Sequence, residues 1–74
     1  MTQKAVHSSE YKKIIERLKK ARKNAKLSQI EVAKKLDKPQ SYISKIEAGE
    51  RRLDVLELKK LAAVYKNPVS FFIG

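Results

Sequence analysis

Gln40, Ser41, Ser44 and Lys45 bring an amide, two hydroxyls and an ammonium to one side of a short segment, and Ile43 and Ile46, three apart, occupy the other. On a helix this spacing separates a hydrogen-bonding face from an anchoring face. An amide or hydroxyl both donates and accepts, whereas an ammonium only donates. No nucleophile and base are paired among them, so the chemistry is recognition rather than catalysis. The donor and acceptor edges of base pairs in the major groove of DNA are a fitting target. Two Ser are poor choices for a merely solvated helical face, where Glu, Lys or Ala would be ordinary.

The rest of the composition narrows the alternatives. The chain has 74 residues with 18 Lys and Arg against 8 Asp and Glu, a formal charge of +10. Such a surface attracts polyanions, because each phosphate it neutralises releases condensed counterions. Residues 4–38 carry twelve basic and four acidic side chains, and residues 39–74 carry six and four, so the excess lies in the first half. There is no cysteine. A disulfide framework and Cys-based metal sites are therefore excluded, and a reducing, cytoplasmic location is expected. The one histidine, His7, falls in a polar stretch. Glycine occurs only at Gly49 and Gly74, which rules out a glycine-rich phosphate loop. Neither an enzyme, a cofactor, a metal nor a small-molecule ligand is expected. No apolar run approaches the ~20 residues that span a bilayer, and residues 1–9 lack the apolar core of a signal peptide. The most basic segment also has no bulky aromatic face to insert, so no membrane partner is expected.

Five short helices and no strand account for the spacing of apolar residues. Residues 1–9 read as a flexible tail, and residues 10–74 as one domain. A first helix over about 10–25 places Tyr11, Ile14, Ile15, Leu18, Ala21 and Ala25 inward, with Ser8 or Ser9 as its cap. Ser28 and Glu31 form a capping box that opens a second helix over about 29–36, with Val32, Ala33 and Leu36 inward. Asp37 tolerates a left-handed backbone at the turn, and Pro39 suits the start of a third helix running to Ala48, which Gly49 stops. Asp54 and Glu57 form a second capping box. The fourth helix that follows turns Val55, Leu58, Leu61, Ala62 and Tyr65 inward. Asn67-Pro68 ends it, and Ser70 caps a last turn, Phe71-Phe72-Ile73.

With these elements in place, residues 11–73 resemble the helix-turn-helix domain of the Cro/C1 repressor family, also called the xenobiotic-response-element family. The likeness is carried in register by Leu27-Ser28-Gln29, Ala33 at the helix crossing, Ser41-Tyr42-Ile43-Ser44-Lys45-Ile46-Glu47 and Gly49-Glu50-Arg51-Arg52. It implies a compact, all-α, five-helix bundle of the lambda-repressor-like DNA-binding type, whose third helix lies in the major groove. Gln40, Ser41 and Ser44 would then face bases, Gln40 reading adenine through its amide, and Lys45 would reach guanine or a phosphate. Gln29 at the start of the second helix would meet a phosphate, as would Arg51 and Arg52 and, in the turn, Lys38. Tyr42 corresponds to a position on the sugar-phosphate backbone, with packing at the helix edge as the alternative. Arg51 and Arg52 have an alternative too, offsetting Glu50 and Asp54. Arg22 and Glu47 match a structural salt bridge between the first and third helices. Two positions depart from the family pattern: Asp37 stands where Gly is usual, and Lys38 where an apolar residue is usual.

Leu56 lies off the inner stripe of its helix, and Phe71, Phe72 and Ile73 crowd the end of the chain. Together they are candidates for a homodimer interface. A dimer would set two recognition helices about one DNA turn (~34 Å) apart on a palindromic operator. The expected function is a sequence-specific, double-stranded-DNA-binding transcriptional regulator. The alternative is an antitoxin or partner-binding module whose main ligand is another protein.

Overall fold

The computed structural model describes residues 9–74, so Ser8, His7 and the remainder of the expected tail lie outside the described residues. Five helices follow in order: α1 (Ser9–Asn24), α2 (Gln29–Lys35), α3 (Gln40–Glu47), α4 (Val55–Tyr65) and α5 (Val69–Ile73). Ser9, assigned to the tail from sequence, is the first residue of α1. Both capping boxes form. Glu31 N–H donates to Ser28 Oγ at 3.0 Å while Ser28 N–H donates back to the Glu31 carboxylate at 2.7 Å. The Asp54–Glu57 box has the same reciprocal bonds, at 2.7 and 3.0 Å. These bonds satisfy first-turn amides that an uncapped helix leaves open.

One device ends α1, α2, α3 and α4 alike. Each runs into a residue with positive φ: Lys26 at 60°, Asp37 at 57°, Gly49 at 77° and Lys66 at 58°. Behind each, two amides reach back to the last turn. In α2, Lys38 N–H meets Ala33 C=O at 2.9 Å and Asp37 N–H meets Lys34 C=O at 3.1 Å. This is the Schellman closure, which satisfies otherwise open carbonyls and reverses the chain tightly. Only Gly49 takes the conformation without a Cβ penalty. Asp37 therefore performs the turn for which the family that the sequence resembles usually has Gly, and the neighbouring Lys38 is exposed.

The core is built from Ile15, Leu18 and Ala21 of α1, Val32 and Ala33 of α2, Ile43 and Ile46 of α3, Leu58, Leu61, Ala62 and Tyr65 of α4, and Phe72 of α5. α3 packs on α2 and α1, while α5 closes over α1 and α4. Four sequence expectations change here. Ala25, expected inward on the first helix, is exposed just beyond its last residue, Asn24. Val55, expected inward, is 70% exposed, because the first residue of α4 projects beyond the edge of the core. Phe72, expected at an interface, is 0% exposed and belongs to the core, so it cannot line one. Its neighbour Phe71 meets it edge-on, with ring centroids 5.0 Å apart and planes at 88°. Ser70 lies within α5 rather than at its cap, a position taken by Pro68.

Candidate nucleic-acid interface

α3 is held from its inner face. Ile43 and Ile46 are each 1% exposed, and Glu47 is buried beside them. The Glu47 carboxylate accepts twice from Arg22 of α1, Nε to Oε2 at 2.7 Å and Nη2 to Oε1 at 3.0 Å. Arg22 Nη1 also donates to Leu27 C=O at 3.0 Å, tying the same guanidinium to the α1–α2 connection. Bonding to Glu47 raises the pKa of Arg22. A paired, hydrogen-bonded charge of this kind avoids the penalty of an isolated buried ion. The angle of α3 is thus fixed by two apolar anchors and one forked ion pair.

Outward from that pair runs a chain of amides. Gln29 Nε2 donates to Glu47 Oε1 at 3.0 Å, and Gln40 Nε2 donates to Gln29 Oε1 at 2.9 Å. Gln29, expected to face a phosphate, here links the buried carboxylate to the first residue of α3. Gln40, Ser41 and Lys45 are exposed, and Ser44 is half-buried with its hydroxyl donating to Ser41 C=O at 3.2 Å. Pro39 precedes α3 without a side-chain cap, which leaves the amides of Gln40 and Ser41 facing outward at the positive end of the helix. Donors, acceptors and positive charge thus converge on one exposed surface.

A second cluster borders it. Tyr42 is half-buried at the helix edge, its hydroxyl donating to Glu57 Oε2 at 3.0 Å. Lys38 Nζ lies 5.3 Å from the Tyr42 ring centroid and the Arg51 guanidinium 4.8 Å from it, both in range for cation–π attraction. Arg51 also pairs with Glu57, Nη2 to Oε2 at 2.9 Å and Nη1 to Oε1 at 3.0 Å. Its partner is thus neither Glu50 nor Asp54, the two acids considered from sequence. The Arg51 guanidinium holds the Glu57 carboxyl down at about 2. Burial, helped by the Glu57 bond, pushes the Tyr42 hydroxyl up to about 12. Arg52, next in the loop, is exposed.

Two further residues tie distant parts of the chain together through contacts that no local sequence pattern reveals. The Tyr11 hydroxyl donates to Arg51 C=O at 3.2 Å and accepts from Leu53 N–H at 2.9 Å, pinning the α3–α4 loop to α1. Arg17 Nη1 donates to the carbonyls of Phe72 and Gly74 at 3.3 and 3.1 Å, fastening α5 to α1. Tyr11 was legible only as an apolar position, and Arg17 only as another basic residue. Their partners lie forty or more residues away in sequence.

Two helices crossing at a tight turn, the second presenting a polar outer face from a locked inner one, define a helix-turn-helix DNA-binding domain. The Cro/C1-type helix-turn-helix family model matches residues 18–72, from the middle of α1 to Phe72. The chain belongs to that family, and its class is a DNA-binding transcription regulator of all-α, lambda-repressor-like fold. No curated protein matches the chain. Among the described residues, no helix is long and apolar enough to cross a membrane.

Proposed function

We propose that the chain is a sequence-specific regulator that inserts α3 into the major groove and acts as a homodimer on a palindromic operator. The observation carrying this reading is the exposure of Gln40, Ser41 and Lys45 on a helix whose opposite side is locked by Ile43, Ile46 and Glu47. In this reading Gln40, Ser41 and Ser44 meet base edges, and Lys45 takes a guanine or a phosphate. Lys38 and Arg52 contact the phosphate backbone, and Gln29 keeps a second amide N–H for a phosphate. Tyr42 and Arg51, joined through Glu57, hold the loop that brings Arg52 to the DNA.

The homodimer reading is supported by exposed apolar side chains on α4 and α5. Leu56 is 66% exposed, Ile73 58% and Phe71 38%. Val55 and Ile73 share a groove of about 320 Å³ with Tyr11, Ile14, Leu53 and Leu58. The groove is also lined by Glu10, Asp54 and Arg52, so charges of both signs are available to a second copy of the chain.

Selection of bound sites from random duplex DNA tests the reading. A recovered motif with two half-sites about 10 base pairs apart is expected. Arg52→Ala should weaken all sequences alike and flatten the salt dependence by about one phosphate contact, whereas Gln40→Ala should erase preference at one position of each half-site. Recovery of no motif would defeat the proposal.

A further inference from the structure

The amide chain that leads out from the Arg22–Glu47 pair has a direction. Both Glu47 oxygens accept from Arg22, and a carboxylate has no proton to donate. The Gln29 atom 3.0 Å from Glu47 Oε1 must therefore be the amide nitrogen. Gln29 then turns its carbonyl oxygen toward Gln40, and Gln40 must answer with a nitrogen, at 2.9 Å. One N–H of Gln40 is consumed in this way, and its other N–H and its carbonyl oxygen remain for a ligand. Adenine offers the complementary pair in the major groove, an N7 acceptor beside an N6 donor, whereas guanine offers two acceptors, N7 and O6.

We infer that Glu47, which lies on the inner face of α3 and is 8% exposed, is a specificity-determining positioning residue: its charge sets the polarity of the Gln29–Gln40 amide chain and so commits Gln40 to adenine over guanine. The inference rests on the reading that Gln40 faces a base. Without the charge the chain can run in reverse. Gln29 would donate to the Gln40 carbonyl, both Gln40 N–H groups would point outward, and two donors would suit the two acceptors of guanine. A carboxylate with its charge paired and buried therefore acts two residues removed from the base, through hydrogen-bond direction alone.

The test is site selection from random duplex DNA with the wild-type chain and the Gln40→Ala, Glu47→Gln and Gln29→Met variants. Wild type is expected to favour adenine over guanine at the position read by Gln40 by about tenfold, the scale of one good bidentate contact. Gln40→Ala should abolish that preference. Glu47→Gln removes the charge at nearly constant volume and should bring the adenine-to-guanine ratio to within about twofold of one. Gln29→Met cuts the chain while leaving the Arg22–Glu47 pair intact, and should relax the same position even if Glu47→Gln folds poorly. A merely structural Glu47 would lower affinity for every sequence and leave base preference in place. If Gln40→Ala removes the preference but Gln29→Met keeps it, the inference fails and the base-reading role of Gln40 stands. If Gln40→Ala changes nothing, both fail.

Discussion

Arg22→Ala is the perturbation that most strains the architecture described above. The substitution removes three donors at once: two charge-assisted bonds to Glu47 and one to Leu27 C=O. It leaves Glu47, whose side chain is 5% exposed, with the Gln29 amide as its remaining side-chain partner. All three donors sit on the charged guanidinium, so each bond contributes about 1.5–3 kcal/mol, an upper bound of ~9 kcal/mol for the three. Water entering the space left by the guanidinium reduces this, and loss of one partner from a buried pair costs about 3–5 kcal/mol. A chain of this length has about 4–11 kcal/mol in total, so a large part of its stability is at stake. The expected result in urea unfolding is a loss of about 3 kcal/mol, equivalent to a fall in Tm of roughly 12–24 °C. DNA affinity measured where the variant is still folded should fall by much less. Replacing both partners by apolar residues, Arg22→Met with Glu47→Leu, should recover part of the loss, because no uncompensated charge is then buried. A loss below about 1 kcal/mol in Arg22→Ala would refute the claim that this pair fixes the angle of α3.

Other perturbations follow from the same geometry. Lys66→Gly should stabilise the domain by about 0.5–1 kcal/mol in thermal unfolding, because Gly takes the positive φ of the α4 closure without Cβ strain; Lys66→Ala should give no such gain. Glu57 has its folded pKa depressed to about 2, so its contribution is complete above its ordinary value of 4.5 and is lost as pH falls through about 2. After allowance for screening at the partly exposed Arg51, that contribution is about 1–2 kcal/mol, and Glu57→Gln should flatten the acid limb of a stability–pH curve by this amount. Leu56→Glu combined with Ile73→Glu should yield a folded monomer by analytical ultracentrifugation; a dimer that survives the pair of charges would move the interface elsewhere.

Local rules made much of the scaffold legible. Ser28 with Glu31 and Asp54 with Glu57 mark helix starts because each box is closed by residues three apart, a distance visible in sequence. Ile43 and Ile46 mark the buried face of α3 by the same kind of local period. The closures at Lys26 and Lys66 were not legible, since nothing in a lysine side chain asks for positive φ and the backbone is set by the hydrogen bonds behind it. Adjacent Phe71 and Phe72 could not be sorted by spacing, and only the docking of α5 decides that Phe72 is the buried ring. The exposed face of Gln40, Ser41 and Lys45 could be read from residue type and position. What Gln29 does with that face could not, because the Gln29–Gln40 bond spans eleven residues and exists only where α2 and α3 cross. The same holds for Tyr42, Arg51 and Glu57, three residues from three elements that meet at one carboxylate.

The most direct measurement of the central claim is a specificity ratio at fixed salt. The affinity for the best duplex recovered by selection should be compared with that for a scrambled duplex of equal length and composition, both at about 0.15 M monovalent salt. Groove reading by α3 predicts a ratio of about 10³ or more, with the scrambled duplex retaining only the steeply salt-dependent, phosphate-driven component. A ratio near one, with equal salt slopes for the two duplexes, would contradict it: the +10 charge would then account for binding, and the outward face of α3 for none of the selectivity.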